Sequence, residues 1–115
     1  MSNILITGGA GYIGSHTAKK LGRAGHNLTT LDNLSKGFRQ AVLHGNLVEG
    51  DVGDMDLVDK ILVNENIDSV IHFAASTIVP DSVADPLSYY WNNTSKTRNI
   101  IECCVRNKVR NFIFS

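Results

Sequence analysis

The feature that most constrains the fold of this chain is a short apolar run followed at once by a cluster of glycines. The run is Ile4-Leu5-Ile6, and the cluster is Thr7-Gly8-Gly9-Ala10-Gly11-Tyr12-Ile13-Gly14. Apolar residues then recur at helical spacing as far as Leu21. A buried strand, a tight turn and a helix are therefore predicted in immediate succession.

The spacing of the glycines indicates what the turn could bind. Gly9, Gly11 and Gly14 satisfy G-x-G-x-x-G, and Gly8, Gly11 and Gly14 also satisfy G-x-x-G-x-x-G. Glycines allow the backbone to approach a phosphate closely, and the N-terminus of the following helix presents N–H groups and a positive partial charge. We therefore predict a pyrophosphate cradle. Because a glycine turn alone is weak evidence, this prediction depends on the segments that follow it.

A second predicted strand ends on an acidic residue at the spacing that a dinucleotide site requires. The segment Asn27–Leu31 is β-rich, and Asp32 lies 21 residues after Gly11. A carboxylate at this distance accepts hydrogen bonds from the adenosine ribose in Rossmann domains. A 2′-phosphate there would meet a repulsion of roughly 4 kcal/mol at about 4 Å, so NAD is favoured over NADP. NADP stays open, since Lys36 and Arg39 could reach such a phosphate.

Hydrophobic spacing predicts alternating strands and helices along the rest of the chain. Strands are predicted at residues 4–7, 27–32, 47–50, 68–74 and 111–114, and helices at residues 12–24, 55–65 and 86–106. Gly25 is expected to end the first helix in a left-handed conformation. Asp54 is expected to cap the second helix, and Asp85 with Pro86 to open the third. The segment 33–46 is expected to be a loop with at most one helical turn.

This order of elements predicts an α/β fold, a doubly wound parallel sheet of the Rossmann type with strand order 3-2-1-4-5. Ligands bind such sheets at the carboxyl ends of the strands, where the order reverses between strands one and four. The glycine turn, Asp32, Asp51 and Phe73 each follow a strand, so four segments converge on that edge. We expect residues 1–115 to form one incomplete domain, truncated after strand five.

Composition and charge argue against several other classes of protein. The 115 residues include 11 basic and 11 acidic side chains and are 43% apolar, which is typical of a globular domain without nucleic-acid or membrane partners. The apolar runs are too short for a signal peptide or a membrane helix. Cys103 and Cys104 are adjacent and cannot staple the fold, so a cytoplasmic location is expected. The histidines lack metal-ligand spacing, and no metal site is predicted.

Taken together, several motifs resemble those of the UDP-glucose 4-epimerases, which are extended short-chain dehydrogenases/reductases. The resemblance covers the whole chain in order, and the matching motifs are Thr7–His16, Leu31–Ser35, Glu49–Val52, His72–Ala75 and Asp85–Asn93. It implies NAD as the cofactor and a UDP-sugar as the substrate. It also implies the interconversion of UDP-glucose and UDP-galactose through a 4-keto intermediate, which belongs to galactose metabolism.

The resemblance further implies which residues hold the phosphate and adenosine half of the cofactor. Tyr12 and Ile13 would present backbone N–H groups to the pyrophosphate, and the Asp51 carboxylate would accept from the exocyclic amine of adenine. Including the glycines predicted above, the residues implied for this half are Gly8, Gly11, Tyr12, Ile13, Gly14, Asp32, Asn33, Leu34, Asp51 and Val52.

The nicotinamide half has its own set of implied residues. They are Phe73, Ala74, Ala75, Ser76 and Asn92. This chain departs from the family pattern at Ser76-Thr77, where some members carry Leu-Lys.

The catalytic groups that the resemblance implies are not found among the printed residues. In the family, a Ser or Thr just after strand five and a later Tyr-x-x-x-Lys carry out the proton and hydride transfer. Here the residues four positions after the three tyrosines are His16, Asn93 and Thr94. We therefore expect the catalytic residues beyond Ser115 and an inactive chain when it is alone. A homodimer, or association with a C-terminal half that binds the UDP-sugar, is expected.

The same glycines and acidic residues are compatible with other interpretations. The chain could belong to another NAD-dependent sugar-nucleotide dehydratase or decarboxylase, to a stand-alone NAD-binding module, or to a nonfunctional remnant. His72 invites a catalytic interpretation, but a lone histidine at the end of a buried strand is more often a satisfied core residue.

Overall fold

In a computed structural model, the chain forms a parallel five-stranded sheet that carries helices on both faces. The structure describes residues 2–8, 12–33, 45–73, 87 and 95–114. The strands are β1 (Asn3–Thr7), β2 (Asn27–Asp32), β3 (Asn46–Glu49), β4 (Ser69–His72) and β5 (Asn111–Phe114), and the helices are α1 (Tyr12–Arg23), α2 (Met55–Asn64) and α3 (Lys96–Arg106). The strand order is β3-β2-β1-β4-β5, which confirms the predicted fold class and topology.

The sheet is buried on both faces because its central strands are apolar at consecutive positions. Leu5 and Val70 face one way and pack with residues of α2 and α3, among them Val58, Ile61, Ile100 and Cys103. Ile6 and Ile71 face the other way and pack with Ala18 of α1. Two cores therefore fix the helices on opposite faces of the sheet.

The helices α1, α2 and α3 all end in the same backbone motif. Gly25, Asn66 and Lys108 have positive φ angles of 92°, 50° and 58°. After α1, the Gly25 N–H donates to Gly22 O at 3.1 Å and the His26 N–H donates to Leu21 O at 3.2 Å. Equivalent pairs of hydrogen bonds follow α2 and α3, and this pattern is the Schellman motif. The left-handed end predicted at Gly25 is confirmed.

Most element boundaries lie within two residues of their predicted positions. Asp54 caps α2 as predicted, since its side chain accepts from the Leu57 N–H at 3.2 Å. The fourth strand is shorter than predicted and ends at His72 rather than at residue 74. The predicted helix start at Asp85 and Pro86 lies outside the described residues, as does most of the predicted loop at 33–46. Ser95 has helical angles (φ −68°, ψ −42°) and makes no side-chain cap bond, so Lys96 is not a capped helix start.

Candidate functional site

The carboxyl ends of the strands meet at one edge of the sheet. In the strand register, Thr7 lies opposite Leu31 of β2 and His72 of β4, while Asp32 lies opposite Glu49 of β3. The residues that leave these strands therefore emerge side by side, and the order of the chain reverses between β1 and β4. This is the position at which doubly wound sheets bind ligands.

The turn after β1 begins the site. Gly8 has a φ of 77°, a conformation that favours glycine, and its N–H donates to Leu31 O at 2.9 Å. The Gly8 N–H is therefore hydrogen-bonded within the protein, and the role of Gly8 is to turn the chain after β1. The helix α1 begins at Tyr12, and the N–H groups of a first helical turn have no acceptor within the helix. Gly14 is buried in that turn.

The next strand outward places a carboxylate at the same edge. Asp32 is the last residue of β2 and is only 9% exposed, and its carbonyl accepts from the Gly50 N–H at 3.1 Å. The exposed residue Asn33 follows directly. The arrangement suits a ligand that brings hydroxyl donors to the end of β2.

Asp51 lies beyond the end of β3, the outermost strand on this side. Its Oδ1 accepts from the Gly53 N–H at 2.7 Å, and its Oδ2 accepts from Lys96 Nζ at 2.7 Å. Partial burial opposes ionisation, but these hydrogen bonds and the charge of Lys96 hold the pKa of Asp51 below its usual value. The neighbouring Val52 is buried in the core, so only its backbone is available to a ligand.

On the other side of β1, a buried histidine ties two strand ends to α3. The Thr7 hydroxyl lies 2.6 Å from His72 Nδ1 and accepts from the Phe73 N–H at 3.1 Å. His72 Nε2 lies 3.1 Å from the Thr97 hydroxyl. A proton donated by Thr7 to Nδ1 and an Nε2–H donated to Thr97 would satisfy both ring nitrogens with neutral imidazole.

The environment of His72 agrees with that neutral state. The residue is 1% exposed, and burial lowers the pKa of His72 from 6.5 to about 4. The interpretation of His72 as a satisfied core residue is therefore confirmed. Its position still matters to the site, because the hydrogen bonds join the ends of β1 and β4 on either side of the crevice.

The structure places nine of the fifteen predicted site residues at this edge. These are Gly8, Tyr12, Ile13, Gly14, Asp32, Asn33, Asp51, Val52 and Phe73. The others lie outside the described residues, and they are Gly11, Leu34, Ala74, Ala75, Ser76 and Asn92. Lys96, Thr7 and Thr97 were not predicted. Thr7 had a signal in the sequence, as a polar residue that ends a buried apolar run, whereas nothing near Lys96 indicates a contact with Asp51.

Other chemistry has little support in the part of the chain that the structure describes. No group of three or more His, Cys, Asp or Glu residues there could hold a metal ion. Cys103 and Cys104 are free and buried, and burial raises the pKa of both thiols to about 11, so neither is a ready nucleophile. Across the same ranges, no helix combines the length and apolarity needed to span a bilayer.

Comparison with known proteins agrees with this geometry. Residues 4–115 match the NAD dependent epimerase/dehydratase family. A UDP-glucose 4-epimerase of Azospirillum brasilense is 44% identical over 113 residues, which are 97% of this chain and 32% of that protein. The crystal structure of UDP-glucose 4-epimerase from Brucella ovis in complex with NAD superposes with a TM-score of 0.95 at 43% identity, covering 99% of this chain and 35% of that one.

A further solved structure differs in the sugar that its name includes. The UDP-Glc/GlcNAc 4-epimerase of Campylobacter jejuni has a TM-score of 0.92 and 43% identity, over 99% of this chain and 36% of its own. The chain thus spans about a third of the length of the relatives it matches.

Proposed function

The chain belongs to the NAD dependent epimerase/dehydratase family, and we propose that residues 1–115 form the NAD-binding Rossmann domain of a UDP-sugar 4-epimerase. The observation that carries this proposal is the convergence of the β1–α1 turn, Asp32, Asp51 and Phe73 on one edge of the sheet. The domain that binds the UDP-sugar is proposed to lie outside the printed sequence.

The order of the strands suits the adenosine half of NAD. Neighbouring strands are about 4.8 Å apart, and β1, β2 and β3 are adjacent in that order. The pyrophosphate would lie at the N-terminus of α1, near Tyr12, Ile13 and Gly14, and the ribose would follow over Asp32 and Asn33. Adenine would then reach the end of β3, where Asp51 can accept from its exocyclic amine and Val52 offers its backbone.

The other half of the cofactor would extend toward β4. Phe73 follows this strand directly, and the family resemblance adds Ala74, Ala75, Ser76 and Asn92 to this part of the site, with Gly11 and Leu34 on the adenosine side. Bound NAD would supply the acceptor for a hydride from the sugar. The contribution of this chain is to bind the cofactor and orient it in the crevice between β1 and β4.

Epimerisation would need groups that the printed residues do not include. We propose that the chain alone is inactive, and that a catalytic Ser or Thr and a Tyr-x-x-x-Lys pair are supplied by a C-terminal part or a partner. Ile113 and Phe114 of the edge strand β5 are 53% and 59% exposed, and an exposed apolar edge favours pairing with another strand. Two buried free thiols support a reducing cytoplasmic location.

The sugar is proposed only as a class. The relatives include a UDP-glucose 4-epimerase and a UDP-Glc/GlcNAc 4-epimerase at similar identity, so a UDP-hexose substrate is proposed and a role in galactose metabolism is its most direct form. The groups that would distinguish these sugars are expected beyond the cofactor-binding part.

Calorimetric titration of the 115-residue chain with NAD, and separately with NADP, tests the proposed cofactor. We expect NAD to bind more tightly because Asp32 would repel a 2′-phosphate. Gly11→Val, which should block the approach of the pyrophosphate to the backbone, is expected to abolish binding. A folded chain that binds neither dinucleotide would contradict the proposal and favour a nonfunctional remnant.

A complementation assay tests the proposed activity. The chain would be mixed with the C-terminal remainder of a UDP-glucose 4-epimerase, and conversion of UDP-galactose would be followed. Activity in the mixture but in neither part alone is expected. NAD binding without restored activity would count against the epimerase and favour a stand-alone NAD-binding module.

A further inference from the structure

Lys96, the first residue of α3, reaches across to the turn between β3 and α2. Its Nζ lies 2.7 Å from Asp51 Oδ2, and the two side chains are 14% and 46% exposed. The lysine is therefore mostly enclosed although its partner is half open to solvent. The contact joins residues 45 positions apart, so it is a tertiary tie between α3 and this turn.

The turn is built around this lysine. The Gly53 N–H donates to Asp51 Oδ1 at 2.7 Å, and the Asp54 N–H donates to Asp51 O at 3.0 Å. The aliphatic part of Lys96 fills the space above Gly53, since a Cβ added there would lie 3.3 Å from Lys96 Cε. Among the residues that the structure describes, each carboxylate oxygen of Asp51 has one donor, and a carboxylate oxygen can accept from a second.

Stability alone does not account for this arrangement. An ion pair with one half-exposed partner contributes little to folding, and ordering a lysine side chain has an entropic cost. The effect that remains is geometric, because donors from two different elements hold the Asp51 carboxylate in one orientation at the carboxyl edge of the sheet.

We propose that Lys96 is a positioning residue for adenine, which holds the Asp51 carboxylate so that its remaining lone pairs accept from the exocyclic amine of the base. This inference rests on the proposed NAD site and goes beyond it, because it assigns base selectivity to a residue of α3. It predicts selection for a base that carries an amine donor at this position. Hypoxanthine has a carbonyl oxygen in place of this amine, and a carbonyl oxygen cannot donate to a carboxylate.

Affinities for NAD and for nicotinamide hypoxanthine dinucleotide measure this selectivity. Lys96→Met keeps the apolar stem and removes the ammonium group. We expect this variant to lower the affinity for NAD about tenfold, in the range of one charge-assisted hydrogen bond. The affinity for the hypoxanthine analogue should fall less than twofold. Lys60→Met removes an exposed lysine of α2 and should change neither affinity. Equal losses for both dinucleotides in Lys96→Met would overturn the inference.

A double-mutant cycle tests whether Lys96 acts through Asp51. In an Asp51→Ala background, Lys96→Met should have no further effect on NAD affinity. A tenfold loss that persists there would mean that Lys96 contacts the nucleotide itself, which contradicts a positioning role. If the methionine variant does not fold, Lys96→Gln gives the same test with an expected loss of about threefold.

The outcomes separate this inference from the proposed function. A wild-type chain that binds no NAD contradicts both. A wild-type chain that binds NAD, with the same preference for adenine over hypoxanthine as Lys96→Met, contradicts only the role of Lys96.

Discussion

The two ends of the sheet are held together in different ways. At the amino end, polar side chains form a relay across four strands, with hydrogen bonds from Asn27 to Asn3 (2.9 Å), from Asn3 N–H to Asp68 (2.9 Å), from Ser69 to Asp68 (2.8 Å) and from Asn111 to Ser69 (3.1 Å). At the carboxyl end, the side-chain hydrogen bonds include the one between Thr7 of β1 and His72 of β4. Hydrogen bonds of short polar side chains connect the strands at the amino end, whereas the candidate site lies at the carboxyl end.

The comparison indicates how this fold separates stability from binding. Groups at the amino end are used on one another. The carboxyl end brings together a carboxylate at the end of β2, the N-terminus of α1 and a half-exposed acid after β3, which are the groups that a dinucleotide site requires. A polar cavity of about 520 Å³ also lies at the amino end, lined by residues such as Asn3, His26, Asn27 and Asn66. Its lining groups include Asn27 Nδ2, which donates to Asn3 Oδ1, and Asn3 Nδ2, which donates to the Asn66 carbonyl, so these polar groups hold the fold together at this end.

Acid should lower the stability of the folded chain through His72 at the carboxyl end, and this is the largest expected effect. The pKa of His72 is about 4 in the folded chain against a usual 6.5, so the unfolded chain binds more protons between these values. Stability is therefore complete above about pH 6.5 and falls as the pH is lowered toward 4, by up to about 3 kcal/mol. Urea unfolding at a series of pH values measures this loss.

A His72 variant and the choice of pH range distinguish the contribution of His72 from that of other titrating groups. His72→Asn should flatten the slope between pH 6.5 and 4, whereas His16→Gln, at an exposed position of α1, should keep it. The Asn3 N–H is the main group that holds the pKa of Asp68 below 3.8, so this carboxylate loses its contribution only at still lower pH. An unchanged slope in His72→Asn would contradict the account of the buried neutral imidazole.

Removal of Asp32 should weaken binding at the carboxyl end. Asp32→Ala is expected to reduce NAD affinity by about 2 kcal/mol, or roughly 30-fold, because it removes charge-assisted hydrogen bonds to the ribose. The preference for NAD over NADP should also decrease. Calorimetry checks both, and Asp56→Ala, at an exposed position of α2, should change neither. If NAD and NADP bind to Asp32→Ala as before, Asp32 is only a strand-end residue.

Removal of Asp68 should lower the stability of the chain and leave NAD binding nearly unchanged. Asp68→Ala removes the acceptor for the Asn3 N–H and the Ser69 hydroxyl, and the free energy of unfolding should fall by about 1 kcal/mol. NAD affinity should stay within twofold, since Asp68 lies at the amino end. Denaturant unfolding and calorimetry of the same preparation test this pair of results. A large loss of NAD affinity without a loss of stability would remove the distinction between the two ends.

The smallest effect is expected at the end of α3. Lys108 has a φ of 58°, which is strained for a residue with a Cβ. Lys108→Gly should stabilise the chain by about 0.5–1 kcal/mol, measured as a rise in the denaturant midpoint. Lys108→Ala keeps the Cβ and should give no such gain. A destabilised glycine variant would show that the lysine side chain matters more than the backbone angle.

Most of the fold could be predicted from local sequence patterns. The apolar runs, Gly25 and Asp54 each act within a few residues, so the elements and their order could be predicted. Asn66 and Lys108 adopt the same left-handed conformation as Gly25. The ends of those two helices were predicted within one residue from hydrophobic spacing, but their left-handed conformation was not, because no glycine stands there. Strand order followed from the rules of doubly wound sheets.

The candidate site was predictable only where its groups follow a strand. Asp32 and Asp51 could be placed because the carboxyl ends of parallel strands share one edge. The partners Lys96 of Asp51 and Thr97 of His72 come from α3, which is distant in sequence, and their contacts depend on how that helix packs. Spacing along a chain does not encode such tertiary contacts, so the side-chain network had to come from the structure.

The most direct test of the account is an NMR titration of the 115-residue chain with NAD, followed through backbone amide signals. We predict that the signals of Gly8, Asn33, Asp51 and Phe73 at the carboxyl end shift on binding, while those of Asn27 and Asn111 at the amino end stay in place. Shifts concentrated at the amino end, or a folded chain whose spectrum does not respond to NAD, would contradict it.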